Sequence, residues 1–145
     1  MGDLNRGVLL EDSKQLLKWD SQIDELATLC GANKEERGDR TIYHWGEHSI
    51  FEGLTVRLQT QFWDEPGDWS TRKFVEVDSW SFDEAPHPNF ERISNHLIQQ
   101  LGEPARKEDD DDGDRYWLWE IETIEVSLSL FLQHAYKLCL SVRKK

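Results

Sequence analysis

The C-terminal part of the chain alternates apolar and polar residues with a period of two, and this pattern limits the possible folds more than any other feature. Successive side chains of a strand point to opposite faces of a sheet, so the alternation predicts half-buried strands. The inward side chains of three such strands are Trp117, Trp119 and Ile121, then Ile124, Val126, Leu128, Leu130 and Leu132, then Tyr136, Leu138, Leu140 and Val142. Such regular alternation is typical of an antiparallel sheet that is covered on one face.

The same period of two appears in residues 54–63, which we also predict to be a half-buried antiparallel strand. A Pro-Gly turn follows, and residues 73–82 are the expected hairpin partner. In that return strand Val77 and Trp80 fall on opposite faces unless a bulge near Asp78 changes the phase. The sequence leaves both arrangements open.

Two segments carry apolar residues at helical spacing and are predicted to be amphipathic helices. The first is residues 12–30, which end before Gly31, and the second is residues 88–101, which end at Gly102. Residues 31–40 and 103–115 are polar and charged, and we expect loops there.

The predicted order is helix, about four strands, helix and three strands, without the regular alternation of strand and helix that a parallel sheet requires. We therefore predict an α+β fold with a mostly antiparallel, curved sheet of about six or seven strands and two main helices packed on it. A chain of 145 residues can form one core, so we expect a single domain over residues 1–145.

Negative charge is concentrated in two segments of the chain. The sequence has 29 acidic and 17 basic residues, a net charge of -12. Residues 64–84 hold seven acids and two bases, and residues 108–125 hold nine acids and one base. Such a balance disfavours direct binding to nucleic acid or to an anionic membrane, and it favours a basic protein partner.

Several features point to a cytoplasmic protein. The opening MGDLNRGVLLEDSK lacks the pattern of a signal peptide, and no apolar run reaches the roughly 18 residues of a membrane helix. The two cysteines, Cys30 and Cys139, are too few for a disulfide framework, and we expect reduced, buried thiols.

The aspartates before Gly113 superficially match a calcium-binding loop, but Trp119 occupies the position of the closing glutamate. A solvated loop is the favoured interpretation. His44 and His48 would share a face only on a helix, whereas Gly46 and its neighbours indicate strand and turn. We therefore predict no metal site.

Paired carboxylates could support acid-base catalysis if one of them were buried. Glu76 and Asp78 share a strand face, as do Glu120 and Glu122. Without a cleft, a metal or a positioned histidine, such pairs are usually solvated, so we predict no catalytic residue, no cofactor and no enzymatic activity.

Seven tryptophans are more than a small domain usually buries, and rings exposed near acidic groups are candidates for a binding surface. Aromatic anchors supply much of the energy of protein interfaces, and a negative field accelerates encounter with a basic partner. The predicted partner-binding residues are Asp64, Glu65, Asp68, Trp69, Glu76, Asp78, Trp80, Asp83, Glu84, Asp109, Asp110, Asp111, Asp112, Asp114 and Tyr116.

The stretch HLIQQLGEP, the acidic turn and then YWLWEIETIEVSLSLFLQHAYKLCLSVRKK resemble the C-terminal half of bacterial immunity proteins of polymorphic or contact-dependent toxin systems. The resemblance covers about 50 of the 145 residues. It implies a short, acidic α+β protein that binds and blocks a cognate toxin domain, often a basic nuclease.

Two other functions remain open from the sequence. A small acidic secretion chaperone would form a dimer with an apolar groove, although such proteins usually end in a helix. A small-ligand-binding domain or enzyme would have a deep pocket containing two or more tryptophans and a close carboxylate pair.

Overall fold

The structure, a computed structural model, describes residues 3–63, 72–82, 86–133 and 135–145. Within these residues the protein is α+β, with two helices, an antiparallel sheet of eight strands and a separate sheet of two strands. The predicted class is confirmed, although the strands outnumber the six or seven expected. The chain divides into two compact units, Met1–Val77 and Asp78–Lys145, and each is described by itself.

The first unit contains a short hairpin, a helix and longer antiparallel strands. Its elements are β1 (Gly7–Leu10), β2 (Gln15–Lys18), α1 (Ile23–Cys30), β3 (Asn33–Arg37), β4 (Arg40–Ile50), β5 (Leu54–Trp63) and the first residues of β6 (Glu76–Phe82). Strand β4 pairs with β3 and with β5. The strand predicted at 54–63 is confirmed, and β6 is its neighbour in the sheet, as expected of its hairpin partner.

The predicted helix over residues 12–30 is wrong before residue 23. Lys14 and Asp20 have left-handed backbone conformations, with φ of 57° and 65°, which a continuous right-handed helix cannot contain. The residues between them form β2, which pairs with β1. Of the two residues of the predicted helical spacing in this part, Trp19 is buried and Leu16 is half-buried, so the spacing identified the core only in part and did not identify the secondary structure.

The predicted loop at residues 31–40 is also wrong in part, because β3 lies within it and pairs with β4 through a turn at Gly38. Strand β3 lies at the end of the strand order and is largely exposed. Charged residues such as Glu35 are common on an edge strand, where they hinder pairing with other chains. Charge alone therefore does not distinguish such a strand from a loop.

Aromatic rings fill the core of the first unit. Phe74 stacks on Trp19 at a centroid distance of 4.9 Å and meets Trp45 edge to face at 5.9 Å. The Trp45 indole donates a hydrogen bond of 2.9 Å to Thr60 Oγ1, so the polar end of the buried ring is satisfied.

The second unit contains one helix and antiparallel strands. Its elements after β6 are α2 (Pro86–Leu101), β7 (Arg106–Asp109), β8 (Arg115–Ile121), β9 (Ile124–Gln133) and β10 (Ala135–Lys144). Strand β9 pairs with β8 and β10, and β7 pairs with β8 at the end of the strand order. The three predicted C-terminal strands and the second helix are confirmed, whereas the predicted loop at 103–115 is wrong where it contains β7.

Helix α2 packs on the apolar face of these strands, where Phe90 meets Trp117 edge to face at 5.2 Å. The Trp119 ring is 1% exposed, and its indole donates a hydrogen bond of 2.8 Å to the Gly102 carbonyl at the end of the helix. Most of the predicted inward side chains are buried, but Leu132 is 58% exposed and is therefore a wrong assignment to the core.

Candidate functional site

An open groove with a volume of about 660 Å³ lies beside the acidic turn of the second unit. We call it the hairpin groove, and it is formed by β7, β8 and β9. Its lining residues are Lys107, Glu108, Asp109, Asp110, Asp114, Arg115, Tyr116, Ser129, Leu130 and Phe131. The groove therefore combines carboxylates with two aromatic rings.

The register of the paired strands brings the two aromatic rings of the groove to the same face of the sheet. Glu108 lies opposite Tyr116, and Tyr116 lies opposite Ser129, so these three side chains share a sheet face. Phe131, two residues beyond Ser129, is on the same face and is a diagonal neighbour of Tyr116. Trp117, which contacts helix α2, points to the other face, so the aromatic part of the groove lies on the face opposite the helix.

The aromatic surface continues from the groove to an exposed tryptophan. Trp80 of β6 is 42% exposed and meets Phe131 edge to face, with ring centroids 6.0 Å apart. Trp80 was a predicted binding residue, and it is on the surface, whereas Val77 is buried. An exposed ring thus lies beside the groove.

The turn that joins β7 to β8 carries the acidic run. The Asp110 amide donates a hydrogen bond of 2.7 Å to the Asp114 carbonyl, and the Gly113 amide donates one of 3.0 Å to the Asp110 carbonyl. Gly113 has a φ of 92°, a conformation that favours glycine. The backbone geometry therefore fixes the turn while the aspartate side chains extend from it.

Asp109 differs from the other aspartates of the run because it is bound within the fold. Its Oδ1 accepts hydrogen bonds from Arg115 Nε at 2.9 Å and from the Trp117 indole at 3.0 Å. The hydrogen bond from Arg115 lowers the pKa of Asp109 against the opposing effect of partial burial. Arg115 also contacts Glu91 Oε1 at 2.6 Å and lies over the Phe90 ring. Asp109, which was predicted to bind a partner, therefore has a structural role in the hairpin.

The remaining aspartates of the turn face solvent or the groove. Asp110 Oδ1 accepts a hydrogen bond of 3.3 Å from the Asp112 amide, and Asp114 Oδ1 accepts one of 3.2 Å from the Leu132 amide. Among the residues that the structure describes, no Lys, Arg or His forms an ion pair with Asp110, Asp111, Asp112 or Asp114. Their charge is therefore available to a partner.

The first acidic segment is only partly described. Glu76 is half-buried in β6, and its carbonyl accepts a hydrogen bond of 2.8 Å from Thr60 Oγ1. Asp78 is 8% exposed and therefore lies away from solvent, in contrast to the predicted surface position. The other predicted residues of this segment lie outside the described residues: Asp64, Glu65, Asp68, Trp69, Asp83 and Glu84.

The tryptophans divide between core and surface. Trp19, Trp45, Trp117 and Trp119 are buried, and Trp63 and Trp80 are exposed. Six of the ten groove residues were not among the predicted binding residues: Lys107, Glu108, Arg115, Ser129, Leu130 and Phe131. The cross-strand register that brings them together is the signal that would have found them.

The two histidines considered for a metal make separate local contacts. His44 Nε2 lies 3.1 Å from Glu35, and His48 Nδ1 lies 3.1 Å from Asp12. Over the described part of the chain, no group of three or more His, Cys, Asp or Glu side chains is placed to hold a metal ion. Cys30 is half-buried and Cys139 is buried, and neither forms a disulfide within the described residues.

No family model, curated protein or solved structure matches this chain. Within the described ranges, neither helix has the length and apolar character needed to cross a membrane.

Proposed function

We propose that the protein binds a basic toxin domain, such as a nuclease, and neutralises it by steric and electrostatic blockade in the cytoplasm. The proposed binding surface is the hairpin groove, the aspartates of its turn and the neighbouring Trp80. No chemical step by this chain is involved. The partner is a protein, and neither nucleic acid nor a membrane is bound directly.

The observation that carries the proposal is the contrast between Asp109 and its neighbours in the turn. Asp109 is paired within the fold, whereas no ion pair with a described residue neutralises Asp110, Asp111, Asp112 or Asp114. Uncompensated charges held together on a turn produce a local negative potential, which accelerates association with a basic partner about 10- to 1000-fold at low salt.

Aromatic rings beside the acids supply the short-range part of the interaction. Tyr116 and Phe131 line the groove, and Trp80 contacts Phe131. Buried aromatic anchors contribute on the order of 2 kcal/mol or more each to protein interfaces, whereas exposed charges contribute mainly to the association rate. Charge and aromatic area together favour a protein partner over a solubilising role for the acids.

The alternatives receive less support from the same surface. A ligand-binding cleft was expected to contain two or more tryptophans, and the described residues that line the groove include none. A secretion chaperone requires an apolar groove, whereas four of the ten groove residues described are acidic.

Coexpression tests the proposal directly. The reading frames next to the gene are searched for a large secreted protein, and the C-terminal domain of such a protein is produced together with this chain, each from its own inducible promoter. We expect restored growth and a stable complex on size exclusion. Continued growth arrest and no complex would contradict neutralisation. A stable dimer that binds the secreted protein without restoring growth would support the chaperone.

A further inference from the structure

We infer that the hairpin groove receives an arginine side chain of the partner, with the guanidinium over Phe131 and against the carboxylates of Asp110 and Asp114. This inference deepens the proposed function and rests on it. The groove provides flat aromatic area and negative charge together. A guanidinium is the protein group whose two properties, a planar face and a positive charge, match both.

The chain itself contains this combination in the same hairpin. The Arg106 guanidinium lies over the Tyr116 ring at 5.5 Å and pairs with Glu108 at 3.2 Å. Arg115 lies over the Phe90 ring at 4.2 Å and pairs with Asp109 at 2.9 Å. Both arginines of the hairpin therefore pair a ring with a carboxylate, which shows that this local geometry accommodates a guanidinium.

The third ring of the region has no internal cation. No Lys or Arg among the described residues lies over Phe131, although Asp110 and Asp114 line the same groove without an ion pair. Phe131 is half-buried, so one part of its ring faces the groove. An arginine from a partner would complete the arrangement that Arg106 and Arg115 already make within the chain.

Lysine is a weaker occupant for a physical reason. Its ammonium is a compact, strongly hydrated charge that cannot stack or form two parallel hydrogen bonds to one carboxylate. Arginine does both and is less strongly hydrated. At an open site the difference corresponds to an affinity ratio of about threefold to tenfold in favour of arginine.

Titration of the 15N-labelled full chain with two blocked pentapeptides tests the inference. One peptide has two arginines separated by glycines, and the other has two lysines at the same positions, so their charges are equal. We expect amide shifts at Tyr116, Ser129 and Phe131, with the arginine peptide bound about threefold to tenfold more tightly. Equal affinities, or shifts confined to other parts of the chain, would overturn the inference.

Two variants separate the ring from the charge. Phe131→Leu keeps an apolar side chain but removes the ring. The affinity of the arginine peptide should therefore fall nearly to that of the lysine peptide, whose own affinity should be retained. The double variant Asp110→Asn with Asp114→Asn should weaken both peptides. Trp63→Leu, a change at an exposed ring of the first unit, is the matched control and should alter neither affinity. If Phe131→Leu still binds the arginine peptide more tightly than the lysine peptide, the proposed arginine site at Phe131 is contradicted.

Thermal unfolding and the spread of amide signals report whether each variant is folded. The two proposals can fail separately. If the toxin domain is neutralised but the two peptides bind with equal affinity, the proposed function is supported and the proposed arginine site is wrong. If the arginine peptide binds more tightly and in the groove but no basic domain is neutralised, the arginine site is supported and the proposed function is wrong.

Discussion

Asp109 and Arg115 form an ion pair across the β7–β8 hairpin, with Arg115 Nε 2.9 Å from Asp109 Oδ1. This pair divides the acidic run into two parts with different roles. Asp109 holds the hairpin against helix α2 through Arg115, which also contacts Glu91 on that helix. The aspartates that follow have no such pair among the described residues. Asp109 therefore contributes to stability, whereas the next aspartates contribute to the negative electrostatic potential at the surface.

Asp109→Asn should lower the free energy of unfolding by about 1 kcal/mol, because it weakens a half-exposed, charge-assisted pair. Urea denaturation at neutral pH measures this change. Asp110→Asn removes the same charge one residue later, and a change of about 0.5 kcal/mol or less is expected there. Equal losses in the two variants would show that the Arg115 pair contributes nothing specific.

The same pair should make stability depend on pH. Arg115 lowers the pKa of Asp109 from its usual 3.8, so the pair contributes fully above that value and its contribution is lost as the pH falls through the lower folded pKa. Asp109→Asn should therefore lose less stability than the wild type between pH 5 and the acid-unfolded range. Identical pH profiles for the two proteins would contradict the assignment.

Glu11 is expected to be the carboxylate on which the β4–β5 turn depends. It accepts hydrogen bonds from the Glu52 amide at 2.7 Å, the Gly53 amide at 3.0 Å and Ser49 Oγ at 2.9 Å. Partial burial acts to raise its pKa, but these hydrogen bonds outweigh that effect and lower the pKa below 4.5. Glu11→Gln should cost about 1 to 2 kcal/mol at neutral pH.

The cost of Glu11→Gln should also shrink in acid, since the wild-type contribution is lost as the pH falls through the lowered pKa of Glu11. Urea midpoints at several pH values provide the measurement. Glu25→Gln, a change at an exposed acid of helix α1, is the control and should be almost neutral. A cost that stays constant down to acid unfolding would rule out the charged form of Glu11 as its cause.

Trp119→Phe should destabilise the protein by about 2 kcal/mol, because it leaves space in the core and removes the hydrogen bond to the Gly102 carbonyl. Thermal and urea unfolding measure the loss. Trp63→Phe, the same change at a ring that is 58% exposed, should shift stability by about 0.5 kcal/mol or less. Similar effects at both positions would contradict the structural role of the Trp119 indole.

The strands of the second unit were predictable because one of their faces is buried. A shift of the β9 register by one residue would turn the buried side chains of Val126 and Leu128 to the exposed face. The sequence of β9 therefore has to alternate apolar and polar residues. Strands β3 and β7 lie at the ends of the strand order and are largely exposed, and no such requirement acts on their residues. Their charged sequences therefore matched the pattern expected of loops.

The candidate site was predictable only in part, because its geometry depends on pairing between strands. The acidic turn and Tyr116 follow from composition and alternation. The position of Phe131 beside Tyr116 requires the β8–β9 register, and the pairing of Asp109 with Arg115 requires the contact across the β7–β8 turn. Neither distance between side chains is encoded in local sequence spacing.

If the proposed function is correct, substitution of the aspartates at 110–112 by asparagine should slow association with the proposed basic toxin domain about tenfold at low salt and flatten its salt dependence. Dissociation should change little, because exposed charges act mainly on encounter rather than on the packed interface. Stopped-flow or surface-based kinetics at several salt concentrations measure both rates. The matched control changes the same number of charges on the first unit, at Glu25→Gln, Glu36→Gln and Asp39→Asn. If both triple variants slow association equally, overall net charge is responsible and the acidic turn is not the steering element.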